Sequence, residues 1–150
     1  MKKKIFMVTL LLLFFAVIVS AQSADAVTKM IESKEATVGE AAYFLAVYLD
    51  AAPENSTEEA AVNALQASGV CNEGVAADTV LTYKTFAGML MRTWDVKGGL
   101  MYSLTKADRY ALRDLQAKGF ISASADPVSA VSGFDALAIL NNCMTQLGGN

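Results

Sequence analysis

An internal repeat restricts the fold of this chain more than any other feature of its sequence. The segment ALQASGV at 64–70 returns fifty positions later as DLQAKGF at 114–120. A second series of related segments opens at Thr37, Thr82 and Ser132. Because each repeat must bury its apolar side against its neighbours, the sequence predicts one domain of nested repeats rather than several independent domains.

The second series predicts three helices that begin alike. Thr37 with Glu40 and Ser132 with Asp135 have capping-box or near-capping-box spacing, and Thr82 can cap a helix alone. Apolar residues follow each cap at helical spacing. We therefore expect helices over 38–49, 83–94 and 133–146.

The first series predicts two shorter helices, over 57–68 and 106–118. Ser56 with Glu59 and Thr105 with Asp108 have the spacing of helix starts. A glycine follows each helix where a left-handed residue is needed, and these glycines are Gly69 and Gly119.

The second repeat is longer than the first. Thr37 to Gly69 spans 32 positions, whereas Thr82 to Gly119 spans 37, so five residues have been inserted. The insertion lies within 97–104, with the sequence KGGLMYSL. A departure from a repeat is a candidate for function, but a longer linker held in place by Leu100 and Leu104 is the alternative.

These features together predict an all-α fold, a compact bundle of about five helices built from two and a half helix-pair repeats. We place this domain at 36–150. Residues 22–35 form a polar lead segment, with a helix over 25–32 as one interpretation.

The N-terminus has the pattern of a secretory signal peptide. Three lysines precede the run 5–19, in which only Thr9 is not apolar, and small residues follow at 19–21. We expect cleavage after Ala21, with Ala24 and Ala26 as second sites. An uncleaved anchor is the alternative, but a run of 15 residues falls short of the ~20 that span a bilayer. The protein is then expected in the periplasm or at the surface of a bacterium, with no membrane span after cleavage.

The composition argues against most enzymes and against nucleic-acid binding. The chain has no histidine, the usual base of Ser and Cys triads and the commonest zinc ligand. It has 12 basic and 15 acidic residues, and loss of the three lysines before residue 22 changes the net charge from −3 to −6. We expect no catalysis, no metal and no cofactor, with a small envelope glycan hydrolase as the one enzymatic alternative.

A basic stripe is the leading candidate for a binding surface. Lys106, Arg109 and Arg113 are three and four positions apart, as on one helix face, and Tyr102 and Tyr110 are close to them in sequence. Guanidinium groups beside aromatic rings can hold an acidic polysaccharide or a carboxylate-bearing partner. The alternative is a solvated face whose charge is neutralised by neighbouring acids.

Trp94 directly precedes the inserted segment. It can form a sugar-stacking platform with Tyr102, or it can be a core residue, since its spacing from Phe86 and Leu90 fits an apolar helix face.

Cys71 and Cys143 are the only cysteines. After export, a disulfide between them is favoured by the oxidising compartment. It would close a loop of about 70 residues. By lowering the conformational entropy of the unfolded chain, it would stabilise the folded protein by ~4 kcal/mol. Two buried thiols are the alternative.

The repeat resembles the S-layer homology module over residues 36–145. The segment LTYKTFA at 81–87 occupies the place of that family's Thr-Arg-Ala-Glu signature, and LQAKGFIS at 115–122 is similar to its glycine-terminated helix. The signature arginine is replaced by Val38, Tyr83 and Gly133. The resemblance implies a helical repeat domain that attaches noncovalently to cell-wall polymers.

We therefore expect a noncatalytic structural or binding module of the cell envelope that associates with a cell-wall or surface polymer. An alternative is a protein-interaction subunit of an envelope or periplasmic assembly.

Overall fold

The fold is all-α, as predicted. The computed structural model describes residues 24–148, and the signal peptide predicted at 1–21 lies outside them. The helices of the described part are α1 at 24–32, α2 at Val38–Tyr48, α3 at Glu58–Ala67, α4 at Tyr83–Thr93, α5 at Leu100–Thr105, α6 at Asp108–Ala117 and α7 at Gly133–Leu147. Pairing between extended residues in this part of the chain is limited to two isolated bridges. No helix within 24–148 is long and apolar enough to cross a membrane.

Two of the helical segments were not among the five expected. α1 occupies the segment where a helix over 25–32 was one interpretation. α5 begins within the segment 97–104, which contains the insertion, and ends at Thr105. Met30 of α1 is fully buried in the core, and the carbonyl oxygen of Ser33 accepts from Gly133 N at 2.9 Å. The segment that leads into α2 is thus packed against the start of α7.

The predicted caps of the three longer helices are present. Thr37 Oγ1 accepts from Glu40 N at 3.1 Å, and Glu40 Oε2 accepts from Thr37 N at 3.0 Å, which completes a capping box. Thr82 and Ser132 cap α4 and α7 through their side chains. These contacts need only residues three positions apart, so the local sequence determines them.

The predicted starts of the two shorter helices were wrong by one or two residues. Thr57, not Ser56, caps α3 by accepting from Ala60 N at 3.2 Å. α6 begins after Ala107, because Thr105 belongs to α5. The chain changes direction between α5 and α6 at Lys106, which has a left-handed φ of 53°.

The two copies of the repeated segment, which lie fifty positions apart, end in the same kind of turn. Gly69 and Gly119 have φ values of 76° and 79°, a region that favours glycine. A glutamine side chain closes each turn: Gln66 Nε2 donates to the carbonyl oxygen of Val75 and Gln116 Nε2 to that of Ala125, both at 3.0 Å.

Three buried residues, Ala36, Leu81 and Val131, connect the starts of α2, α4 and α7 in a ring of backbone hydrogen bonds. Ala36 N donates to Val131 O, Val131 N to Leu81 O, and Leu81 N to Ala36 O, each at 2.8 Å. All three residues are fully buried. Each donor and acceptor is thereby satisfied away from water, and the three longer helices start from one shared centre.

Candidate functional site

A cavity of about 340 Å³ lies beside the C-terminal ends of α3 and α4. Its lining includes Gly69, Arg92, Asp95, Tyr102 and Lys106. We call this cavity the Arg92 groove. It brings together a turn of the first copy, the last turn of α4 and the junction between α5 and α6.

Arg92 is held in the groove by two contacts. Its Nε donates to the carbonyl oxygen of Val70 at 2.7 Å, and its Nη1 donates to Asp108 Oδ1 at 2.9 Å. Asn72 Nδ2 donates to the other carboxylate oxygen of Asp108 at 2.8 Å. The Arg92 side chain is 17% exposed. The guanidinium group is therefore fixed in place before any ligand arrives.

The third nitrogen of this guanidinium group is unpaired. Arg92 Nη2 is buried and has no hydrogen-bond partner among residues 24–148. A buried charged donor without an acceptor is costly. This nitrogen lies close to α4, since a Cβ atom on Gly88 would be 3.0 Å from it.

Gly88 allows the Arg92 and Asp108 pair to pack against α4. A Cβ atom on Gly88 would lie 2.0 Å from Asp108 Oδ1 and 3.0 Å from Arg92 Nη2. Any side chain at this position would displace the Asp108 carboxylate. Gly88 therefore allows the Arg92 and Asp108 pair to keep its place beside the groove.

Lys106 supplies a second cation at the groove. Its Nζ lies 5.0 Å from the ring centroid of Tyr102, within the range of a cation–π contact. Tyr102 is buried, and this burial raises the pKa of its phenol, which stays protonated at neutral pH. Asp95 is the exposed acid among the lining residues and can accept from a ligand hydroxyl.

The predicted basic stripe does not lie on one helix, and this part of the prediction was wrong. Lys106 precedes α6 in a left-handed conformation, whereas Arg109 and Arg113 are exposed on α6 itself. Arg109 lies 5.8 Å from the ring centroid of Tyr110. Arg113 and Tyr110 line a separate cavity of about 220 Å³ together with Tyr102.

Trp94 packs with Tyr48 rather than with Tyr102. The Trp94 and Tyr48 ring centroids are 5.1 Å apart, and Trp94 Nε1 donates to Tyr48 Oη at 3.0 Å. Trp94 lines a cavity of about 540 Å³ near the end of α7, and Tyr102 is not among the residues of that cavity. The structure thus assigns the two predicted platform residues to different surfaces.

Cys71 and Cys143 are both buried free thiols, so this structure has the two thiols and not the disulfide between them. Burial raises the pKa of the Cys143 thiol to about 12. Burial also raises the pKa of Cys71, while the nearby Arg92 charge opposes that rise.

A second cavity, of about 350 Å³, lies between α1, α2 and the segment before α3. Lys29 forms an ion pair with Glu58 at its edge and lies 3.7 Å from Glu40 Oε1. The hydrogen bond to Glu58 is the main cause that raises the pKa of Lys29. Asp25 and Glu54 add further acids, so this cavity is acidic and less suited to an anionic ligand.

Arg92 is not among the site residues predicted from the sequence. The available signal was a single arginine in the last turn of a helix whose preceding residues are mostly apolar. Its partners come from α6 and from the turn after α3, which the local sequence does not reveal.

Comparison with known proteins finds no matching family model and no significant match among curated proteins.

Proposed function

We propose that this chain is an exported, noncatalytic module of the bacterial cell envelope that binds a surface polymer through the Arg92 groove. The observation that carries the proposal is the placement of Arg92 and Lys106 in the lining of one groove. Two cations thus meet at one groove of a chain whose net charge is negative.

The groove fits a carboxylate-bearing glycan. The exposed Lys106 ammonium group pairs with a carboxylate group of the polymer, and the Arg92 guanidinium group adds positive potential at the same groove. Asp95 accepts from a sugar hydroxyl at the same groove. In this arrangement, Arg92 in the last turn of α4 takes the place of the signature arginine of the S-layer homology family.

We also propose that the domain is built from two and a half helix-pair repeats like those of the S-layer homology family. The matching glycine turns and glutamine contacts of the two copies support a common origin. The ring of Ala36, Leu81 and Val131 supports three related helix starts.

A pulldown with insoluble peptidoglycan and its attached wall polymer tests the groove. A chain of residues 22–150 retains every contact described above, since all of them lie within 24–148. We expect salt-sensitive retention, because charge attraction is screened by salt. Lys106→Asn should weaken retention, and asparagine tolerates the left-handed conformation of this position. Lys34→Asn is the matched control, since Lys34 is an exposed lysine outside the groove.

Arg92→Lys separates hydrogen-bond geometry from charge. Lysine keeps the positive charge but lacks the planar fork that contacts Val70 and Asp108 together. We therefore expect the groove to change shape and retention to fall, and the thermal midpoint is monitored as a control for folding. If neither groove variant alters retention, the polymer binds elsewhere and this site assignment is wrong.

Absence of retention for the parent chain would favour the alternative of a protein-interaction subunit. Release of soluble fragments from the same polymer would instead support the glycan hydrolase alternative and would contradict a noncatalytic role.

A further inference from the structure

Exposed apolar side chains are concentrated on α5. Leu100 is 74% and Leu104 is 72% exposed, and Met101 is also exposed. Leu100 and Leu104 are four positions apart, so they lie on one side of this short helix. Tyr102 is the buried residue of α5 and anchors it to the core.

α5 takes no part in the ring of backbone hydrogen bonds formed by Ala36, Leu81 and Val131. Contacts with α6 fix its position instead. Gly99 N, at the start of α5, donates to Asp114 Oδ2 of α6 at 2.9 Å. Leu100 and Arg113 line the same cavity between these helices. Leu100 and Met101 of α5 are therefore held beside Arg113 of α6.

The charge of this segment is opposite to that of the remaining described chain. Residues 97–118 contain five basic and two acidic residues, a net charge of +3, and the other described residues have four basic and thirteen acidic, a net charge of −9. Both acids of the segment are engaged: Asp108 with Arg92, and Asp114 with Gly99 N. Lys97, Arg109 and Arg113 are exposed.

We propose that this surface, formed by Lys97, Leu100, Leu104, Arg109 and Arg113, docks on an anionic lipid bilayer. The leucines enter the headgroup region, and the basic side chains contact lipid phosphates. The proposal is independent of the Arg92 groove.

The size of the apolar patch favours a bilayer over a protein partner. A stable protein interface buries about 800 Å² on each side with close shape complementarity. The exposed side chains of one six-residue helix fall well short of that area. A bilayer needs no complementary shape, because its headgroups rearrange around the inserted side chains.

Vesicle flotation with the 22–150 chain tests the proposal and excludes the apolar run at 5–19. We expect the protein to float with phosphatidylcholine vesicles that contain phosphatidylglycerol and to remain soluble with phosphatidylcholine alone. Leu100→Ser with Leu104→Ser should lower partitioning by about tenfold or more, since removing a buried leucine side chain costs roughly that factor. Val128→Ser with Phe134→Ser is the matched control, because these side chains are 67% and 66% exposed outside the surface.

The basic side chains require a second comparison. Lys97→Gln, Arg109→Gln and Arg113→Gln together should reduce flotation, and Arg92→Lys should leave it unchanged. This difference separates lipid docking from polymer binding at the groove. Equal flotation with neutral vesicles, or equal flotation of the leucine and control variants, would overturn the proposal.

Fluorescence distinguishes insertion from adsorption by charge alone. A Leu104→Trp variant should show a blue-shifted emission on adding the anionic vesicles, whereas Phe134→Trp should not. Unshifted emission of Leu104→Trp would overturn the insertion of α5. Failure to float at all would also overturn the proposal and would leave a protein partner as the occupant of this surface.

Discussion

Ala36 and Val131 belong to segments far apart in the sequence, and the N–H of Ala36 donates to the carbonyl oxygen of Val131 at 2.8 Å. This bond joins the entry to α2 with the entry to α7. Leu81 bonds to both residues, so the starts of three helices depend on one another. We therefore expect the described chain to unfold as one cooperative unit.

Met30→Ala should destabilise the whole domain, although residue 30 precedes the repeats. Met30 is fully buried, and replacing such a side chain with alanine costs about 2–5 kcal/mol. Ile31→Ala is the neighbouring control, since Ile31 is half-exposed, and its cost should be below about 1 kcal/mol. Urea unfolding measures both values. Equal costs would show that α1 contributes little to the core.

Gly88→Ala should destabilise the fold by about 1–3 kcal/mol, because the added methyl group overlaps the Asp108 carboxylate. The effect should be smaller in an Asp108→Ala background, where that carboxylate is gone. A double-mutant cycle by urea unfolding measures this coupling. Equal effects in both backgrounds would contradict the proposed role of Gly88.

The sequence was sufficient where a feature depends on near neighbours. The capping box of Thr37 and Glu40 and the turns at Gly69 and Gly119 were predicted, since each requires only residues a few positions apart. The all-α fold followed from the same local patterns.

Features that depend on distant segments were missed. α5 has six residues, too few for an isolated helix, and it packs through Tyr102. Because of α5, Thr105 is not the start of the helix predicted over 106–118, and Lys106 is not a member of that helix. The role of Arg92 depends on Val70 and Asp108, so its fixed orientation becomes visible only in the folded chain.

The two thiols should react slowly with iodoacetamide in the native protein at pH 8. Only the thiolate is nucleophilic, and burial raises the pKa of Cys143 to about 12 and also raises that of Cys71. Both should react readily in urea. Mass spectrometry without reductant should detect two alkylated residues in the unfolded sample, and a bridged product would contradict the free thiols.

Stability should fall at alkaline pH in part because of Cys143. Its thiol has an ordinary pKa of 9.0 and a native pKa of about 12, so ionisation begins first in the unfolded chain. The stability from this group is complete below pH 9 and is lost as pH rises towards 12. Cys143→Ala should therefore show a shallower decline than the parent across this interval. Parallel declines in urea unfolding would contradict the raised pKa.

Export should remove residues 1–21, because small residues at positions 19 and 21 fit the recognition site of signal peptidase. The mass of the exported protein should correspond to residues 22–150. Ala21→Leu places a bulky side chain at the cleavage position, so processing should slow or move to Ala24 or Ala26. Ser20→Leu is the matched control, since the position between the two small residues tolerates bulk. Retention of residues 1–21 in the parent would instead support the membrane-anchor alternative.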